Sequence, residues 1–457
     1  MPPEKSEKFI FNTTEFNNLA ELAKQNNRID PEVFVNSDAK LGLRNPDGTG
    51  VLVGFSEVGE VKPYTVEDGQ TVPAHGRLFY RGIEITDLVK GFQREKRHGF
   101  EEVCYLLLFN QLPTREQLDN FKGLLNQNRA LPPGFTEDMI LKAPSNNIMN
   151  KLARNVLTCY SFDDNPEDLD IANVLRQSIE LIAQFPTMAS YAYHAKVHFY
   201  NYQSLFIHHP QEGLSTSENF LYLMRPDNYY TELEAELLDL ALILHAEHGG
   251  GNNSTFTTRV VTSSGTDTYS AIAAAVGSLK GPKHGGANIK VVGMIEDIKN
   301  NLKDWDNEGK LKDYLCKILR KEAYDRKGLI YGIGHAVYTL SDPRAVLLKQ
   351  KAEELAKEKN MEEELGLYNL IEKLTPEIFA EAGRDVHTMV PNVDFYSGFV
   401  YKMLNIPIEL YTPIFATARV AGWCAHRLEE LVNEGKIIRP AYKNIIEKRG
   451  FIPLDER

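Results

Sequence analysis

Gly281-Pro282-Lys283-His284-Gly285-Gly286-Ala287-Asn288 breaks the chain between two helical patterns and decides how the rest is read. Upstream, residues 267–279 carry Ala271, Ala273, Ala274 and Ala275 with Gly277 among them, a composition that lets helix backbones approach closely and predicts a deeply packed helix. Downstream, Ile289, Val292, Ile295, Ile298 and Leu302 recur at near-helical spacing, so His284 falls just before a helix N-terminus. The partial positive charge of that end disfavours imidazolium and points to a neutral ring that donates one hydrogen bond. The glycines after it leave room for a ligand; the plainer alternative is a histidine that caps a turn.

Working outward, the helical period dominates. A start signal at Pro113-Thr114-Arg115-Glu116, with Thr114 as cap, follows an apolar run over 100–112, and helices are predicted over roughly 167–184, 187–206, 215–224 and 232–248. Further helices are expected near 289–302, 306–321, 343–359, 362–379, 395–404 and 413–433, with a short surface helix at 16–26. Only residues 50–80 read as β-like, and Pro63, Pro73 and several glycines keep those strands short, as hairpins ornamenting a helical body. The class is mainly α.

With 42% hydrophobic and 25% charged residues in 457, the composition is that of a globular protein with a substantial core. A net charge of −12 argues against a nucleic-acid or anionic-membrane binder, so an anionic ligand needs a local arginine cluster. Cys104, Cys159, Cys316 and Cys424 are far apart and form no C-x-x-C pair, which fits reduced thiols. The first residues have neither an apolar h-region nor an Arg-rich character, and no window is apolar enough for a membrane span. The expected location is cytoplasmic.

Several residues have the chemistry for a site. His248 closes the predicted helix 232–248 with His245 one turn before it; the pair reads as an imidazole delivered to a cavity, as metal ligands, or as core histidines bonded to carbonyls. The segment 328–335 contains Gly332-Ile333-Gly334-His335 but no third glycine and no βαβ context, so a backbone that lets a flat ligand stack close is preferred over a dinucleotide loop. Asp342-Pro343-Arg344 is a helix start with Pro343 at the first position, and an arginine there suits an anion better than the helix dipole. Asp394 begins a helix beside Phe395 and Tyr396, either as an N-cap or as a poorly hydrated general base. Arg419 lies among small residues and wants a carboxylate, and Arg439 precedes a proline in extended chain.

Taken together, His245-x-x-His248-Gly-Gly-Gly-Asn252, Gly281-Pro-x-His284-Gly-Gly-Ala-Asn288, Gly332-x-Gly-His335-Ala-Val337, Asp342-Pro-Arg344, Pro391-Asn-Val-Asp394-Phe-Tyr-Ser-Gly398, Ala418-Arg419-x-x-Gly-Trp423 and Arg439-Pro440 resemble the citrate synthase family from about Gly50 to the C-terminus. The resemblance implies a two-domain helical fold: a large domain over 1–283 and 400–457, and a small one over 284–399 that closes on the substrates. It implies condensation of acetyl-CoA with oxaloacetate, with Asp394 removing a methyl proton, His284 hydrogen-bonding the thioester oxygen and His335 polarising the ketone. His248, Arg344, Arg419 and Arg439 would hold the carboxylates, Arg439 reaching across a homodimer. Phe415 would wall the pocket, with Asn252, counted also among the oxaloacetate contacts, and Ser254 and His245 supporting it. Leu329, Ile330, Gly332, Gly334 and Ala336 would meet CoA. Some relatives carry a basic residue just after the loop histidine where this chain has Ala336, which leaves only Arg326 and Lys327 to suggest for the CoA phosphates. No metal, redox cofactor, nucleic acid or membrane is implied. The near alternative is 2-methylcitrate synthesis from propionyl-CoA; from other classes, a metal-dependent hydrolase on His245, His248 and His284, or a purely structural scaffold.

Overall fold

The computed structural model describes residues 13–457 except 36, 46–48, 68–69, 335–336 and 385–388. The chain divides into two compact units, Met1–Phe55 and Ser56–Arg457. In the first, helices α1 (Thr13–Asn26) and α2 (Pro31–Val35) are exposed, with Phe16, Leu19 and Leu22 on the surface.

The second unit opens with strands β1 (Gly59–Glu67), β2 (Gln70–Tyr80) and β3 (Ile83–Glu84), an antiparallel sheet in the order β1-β2-β3. Gly59 pairs with Tyr80 and the register slips between Lys62 and Tyr64, around Pro63, which has no N–H to give the ladder. Helices α3 (Ile85–Glu95), α4 (Phe100–Phe109), α5 (Arg115–Gln127), α6 (Ile148–Cys159), α7 (Ile171–Asn201), α8 (Thr216–Met224), α9 (Glu232–His245), α10 (Asn253–Thr262) and α11 (Thr268–Leu279) follow. After the 281–286 turns come α12 (Ala287–Asn301), α13 (Glu308–Leu319), α14 (Pro343–Glu358), α15 (Glu362–Glu381), α16 (Val393–Met403) and α17 (Tyr411–Val432). The mainly α expectation is borne out.

Local chemistry explains most boundaries. Thr114 accepts the Gln117 N–H at 3.3 Å while the Gln117 side chain accepts the Thr114 N–H, and Ser215 and Thr231 build the same reciprocal cap with Glu218 and Glu234. One boundary was expected and is absent: the break between 184 and 187 does not occur, because α7 runs straight through Pro186. A proline inside a helix costs about 3 kcal/mol, yet Phe185, Pro186, Thr187, Met188 and Ala189 are all buried, so packing around the helix overrides the local penalty.

α17 is the central post. From Tyr411 to Leu428 every residue is buried, and Ala416, Ala418, Ala421, Gly422 and Ala425 let α4, α7, α9, α10 and α11 pack around it. The segment 284–399 packs largely on itself, α12 on α16, α13 on α15 and α14 on both α15 and α16, while α14 also meets α9 and β2. The sheet does more than ornament this body. Gly76 N–H donates to Ser341 O at 3.1 Å and Thr339 Oγ1 donates to Pro63 O at 2.9 Å, so the hairpin clamps the chain that leads into α14.

Candidate active site

The site begins where α9 ends. The helix stops at His245, three residues before its expected end, because a run of glycines follows and Tyr80 reaches in from β2 to donate to Ile243 O (2.9 Å) or Glu247 O (3.1 Å). His248 therefore lies on the turn beyond the helix, half-buried, its ring 5.6 Å from that of Tyr338. Asn252 caps α10: its Oδ1 accepts the Thr255 N–H at 3.1 Å and lies 3.1 Å from Ser254 Oγ, and its Nδ2 donates to Gly249 O at 2.6 Å. The amide is thus engaged within its own loop, as a support of Ser254.

Ser254 holds His284. Its Oγ lies 2.9 Å from His284 Nε2, its backbone N–H donates to that same nitrogen at 3.3 Å, and the Trp423 indole N–H donates to the Oγ at 3.1 Å. A backbone N–H can only donate, so Nε2 is an acceptor and the ring proton sits on Nδ1. The imidazole is pushed down to about 4, by burial first and by Arg419 second, which makes it a neutral donor. The nearby glycine serves the chain itself: a Cβ on Gly285 would lie 2.4 Å from Leu279 O and 2.9 Å from Thr412 Cγ2, so the space expected for a ligand there is filled by packing.

Asp394 is not the N-cap of α16. That role falls to Asn392, whose side chain accepts the Asp394 N–H at 3.0 Å, leaving the Asp394 carboxyl in the first turn and free of capping. Its net rise to about 6 comes first from burial; Arg344 and Arg419 pull the carboxyl down and Asp342 pushes it up. Asn392 also ties the site to the glycine segment before α14, its N–H donating to Gly332 O (2.9 Å) and its Nδ2 to Gly334 O (3.0 Å). Gly332 has φ +79°, and a Cβ there would strike Val291 and Phe395 within 2.9 Å, so no other residue fits between α12 and α16.

Two arginines complete the cluster. Arg344 is buried and forks onto Asp342, Nε to Oδ1 at 3.0 Å and Nη2 to Oδ2 at 2.8 Å, and that same Oδ2 accepts the Val393 N–H at 3.2 Å, joining the starts of α14 and α16. Arg419 is buried on α17, donates Nε–H to His245 O at 2.7 Å and lies over the Phe415 ring at 4.9 Å. Phe415 also contacts the rings of His245 (4.5 Å) and His284 (6.5 Å). Among the described residues neither buried ring nitrogen of His245 has a hydrogen-bond partner, and burial holds that ring far below its usual range.

The fold thus gathers His245, His248, Asn252, Ser254, His284, Arg344, Asp394, Phe415 and Arg419. Arg439 is exposed in chain outside any helix or strand, with the neighbouring Ile438 N–H donating to Ser263 Oγ at 3.0 Å, outside this cluster of its own chain. Leu329 is exposed and Ile330 buried in the segment before Gly332, and Arg326 and Lys327 are exposed. His335 and Ala336 lie outside the described residues. Among the described residues no group of three or more His, Cys, Asp or Glu could hold a metal, and none of the helices is long and apolar enough to cross a membrane. Sequence reasoning missed Asp342, Glu247, His426 and Trp423 as functional neighbours. Asp342 and Trp423 stood inside quoted motifs; His426, about two turns beyond Arg419 on α17, carried no local signal of its own.

Comparison with known proteins bears on this arrangement. The family model for the C-terminal domain of citrate synthase matches residues 47–441. A citrate synthase of Haloferax volcanii is 34% identical over 429 residues, 93% of this chain and 100% of the relative. A 2-methylcitrate synthase of Corynebacterium glutamicum is 33% identical over 408 residues, 87% of this chain and 97% of the relative. The crystal structure of a citrate synthase from Pyrobaculum aerophilum superposes with a TM-score of 0.72 at 29% identity, covering 89% of this chain and 94% of the other.

Proposed function

The chain belongs to the citrate synthase family, and from that premise we propose that it condenses acetyl-CoA with oxaloacetate and water to give citrate and CoA. The observation that carries the reading is the pairing of a neutral, Nδ1-protonated His284 with a desolvated Asp394 carboxylate, both in the field of Arg419. A thioester α-proton is too weakly acidic for a carboxylate unaided. Asp394 takes that proton while the Nδ1–H of His284 stabilises the enolate oxygen, a contribution of about 3 kcal/mol for one preorganised donor. A base pushed up to about 6 is ionised at neutral pH yet more basic than an ordinary aspartate.

His335 polarises the oxaloacetate ketone and gives it a proton as the carbon–carbon bond forms. His248, Arg344 and Arg419 hold the carboxylates together with Arg439 of the partner subunit in a homodimer, and the exposure of Arg439 supports that reach. Residues 284–399 act as a small domain that closes on 1–283 and 400–457, excluding water until the citryl thioester is to be hydrolysed. Leu329, Ile330, Gly332, Gly334 and Ala336 meet CoA, and no metal or redox cofactor takes part. The four free thiols support a cytoplasmic location.

The 33% identity to a 2-methylcitrate synthase keeps propionyl-CoA as the second acyl donor to test. One methylene is worth roughly 1 to 3 kcal/mol in a pocket. Initial rates with acetyl-CoA and propionyl-CoA at saturating oxaloacetate decide between them: higher kcat/KM with acetyl-CoA is expected, and a preference for propionyl-CoA would overturn the assignment of citrate.

A further inference from the structure

Behind Arg419 lies a chain of buried polar groups that the reaction does not touch. Glu247 and His426 are both fully buried, and His426 Nε2 lies 3.0 Å from Glu247 Oε1. On the other side of the ring, His426 Nδ1 faces the guanidinium of Arg259, 3.1 Å from Nε and 2.7 Å from Nη2. A guanidinium has only donors to offer, so Nδ1 must present its lone pair, and the ring's proton sits on Nε2 and is donated to Glu247. Arg259 is itself fixed by Glu429, by Glu430 Oε2 at 2.9 Å from Nη1, and by Ser56 Oγ at 3.0 Å.

Glu247 is held from every side. Tyr80 bonds its backbone, with the Glu247 N–H donating to the phenol oxygen at 3.3 Å. Its side chain is wedged between two glycines. A Cβ on Gly59 of β1 would lie 2.7 Å from Glu247 Cγ, and one on Gly422 of α17 would lie 2.5 Å from Glu247 Oε2. Among the described residues Oε2 has no hydrogen-bond partner, although it is buried. Gly422 is one helical turn from Arg419, and the same hypothetical Cβ would also lie 3.4 Å from Arg419 Cδ, so carboxylate and arginine stem share one small space. Burial alone would raise this carboxyl, but His426 and Arg419 hold it below the usual carboxylate range.

We propose that His426, oriented by Arg259, is a positioning residue for oxaloacetate binding: by donating to Glu247 it keeps an ionised counter-charge fixed behind Arg419, and so fixes the charge and direction of the guanidinium that receives a substrate carboxylate. Neither His426 nor Glu247 touches substrate; both act through Arg419. The inference rests on the reading that Arg419 holds oxaloacetate.

The substitutions His426→Leu and His426→Gln test it. A glutamine amide donates from one atom and accepts at the other, so it reproduces both ends of the imidazole, whereas leucine removes both. His426→Leu is expected to raise the oxaloacetate KM about tenfold or more, with the acetyl-CoA KM unmoved, and His426→Gln to return it to within about threefold of the parent. Equal impairment by Leu and Gln, an unmoved oxaloacetate KM, or parallel losses in both KM values and in melting temperature would overturn the proposal. Should the leucine variant not fold, nitrogen-15 NMR of the unmodified enzyme still decides: a proton on His426 Nε2 and a bare Nδ1 are required, and the opposite tautomer refutes the relay. Arg419→Leu separates the two layers of the argument. If it leaves the oxaloacetate KM unchanged, the substrate role of Arg419 falls; if it raises KM while His426→Leu does not, only the relay falls.

Discussion

Arg344 and Arg419 are the same residue at the same depth, 4% and 1% exposed, and their surroundings make them different tools. Arg344 brings its own carboxylate: Asp342, two residues earlier, caps α14 and accepts a fork of two hydrogen bonds from the side chain. Burial alone would weaken its hold on the proton, but Asp342 drives the guanidinium above its ordinary range. Arg419 has no such fork among the described residues, only a carbonyl at Nε and an aromatic face. Burial pulls it down to about 10, partly offset by Glu247. One arginine is a fastener between α14 and α16; the other, on the proposed reading, gains most from a carboxylate that arrives with the substrate.

What the two share is Asp394, whose carboxyl both of them pull down. Removing that charge gives the largest expected effect. Asp394→Asn should lower kcat on the order of a thousandfold and leave oxaloacetate binding, measured by calorimetry, largely intact. A variant that still turns over at a tenth of the parental rate would show that Asp394 is not the base.

The arginines themselves should then part company. Arg419→Leu is expected to raise the oxaloacetate KM on the order of a hundredfold, with little change in the urea midpoint. Arg344→Leu should instead reduce unfolding free energy by about 3 kcal/mol, because it strands the buried Asp342 carboxylate without a cation. Restoring much of that loss with Asp342→Asn in the same chain would confirm the cause. Equal destabilisation by the two arginine substitutions would erase the distinction drawn between them.

The same contrast shows what a linear sequence can carry. Asp342-Pro343-Arg344 is local, and the oddity of an arginine in a first helical turn was visible from the dipole alone; the fork that resolves it joins residues two apart. His284, Asp394 and Arg419 were recognisable by motif. The partners that set their properties come from remote chain: Ser254 for His284 across 30 residues, and Glu247 for His426 across 179. Helix reading failed in the same way. Asn253–Thr262, rich in β-branched residues, is not among the helices expected from the sequence, yet Ser254, Thr255, Thr258 and Thr262 form one buried face and the Asn252 cap starts the helix. The alternative failure is α6, where Ile148, Leu152, Val156 and Cys159 recur at helical spacing that polar Asn150, Lys151, Arg154 and Asn155 interrupt, and the sequence reading leaves no helix there.

The smallest expected effect sharpens the electrostatic half of the comparison, since it measures how far the two arginines compensate the burial of Asp394. Its carboxyl is raised from 3.8 to about 6 on folding. A group whose pKa is raised binds its proton more tightly when folded, so its contribution favours the folded state at low pH, and that advantage is lost as pH climbs from about 4 through about 6. Above that window the ionised carboxylate opposes folding by on the order of 3 kcal/mol. Asp394→Asn should therefore be more stable than the parent in urea at pH 8 and converge with it near pH 4. Activity runs the other way: parental kcat/KM should fall about tenfold per pH unit below about 6 as the base is protonated, with no limb from His284 until near 4. Adding Arg419→Leu removes one of the charges that pull Asp394 down, so the acid limb should move to higher pH; a limb that stays in place would mean that Arg344 alone sets the charge of the base.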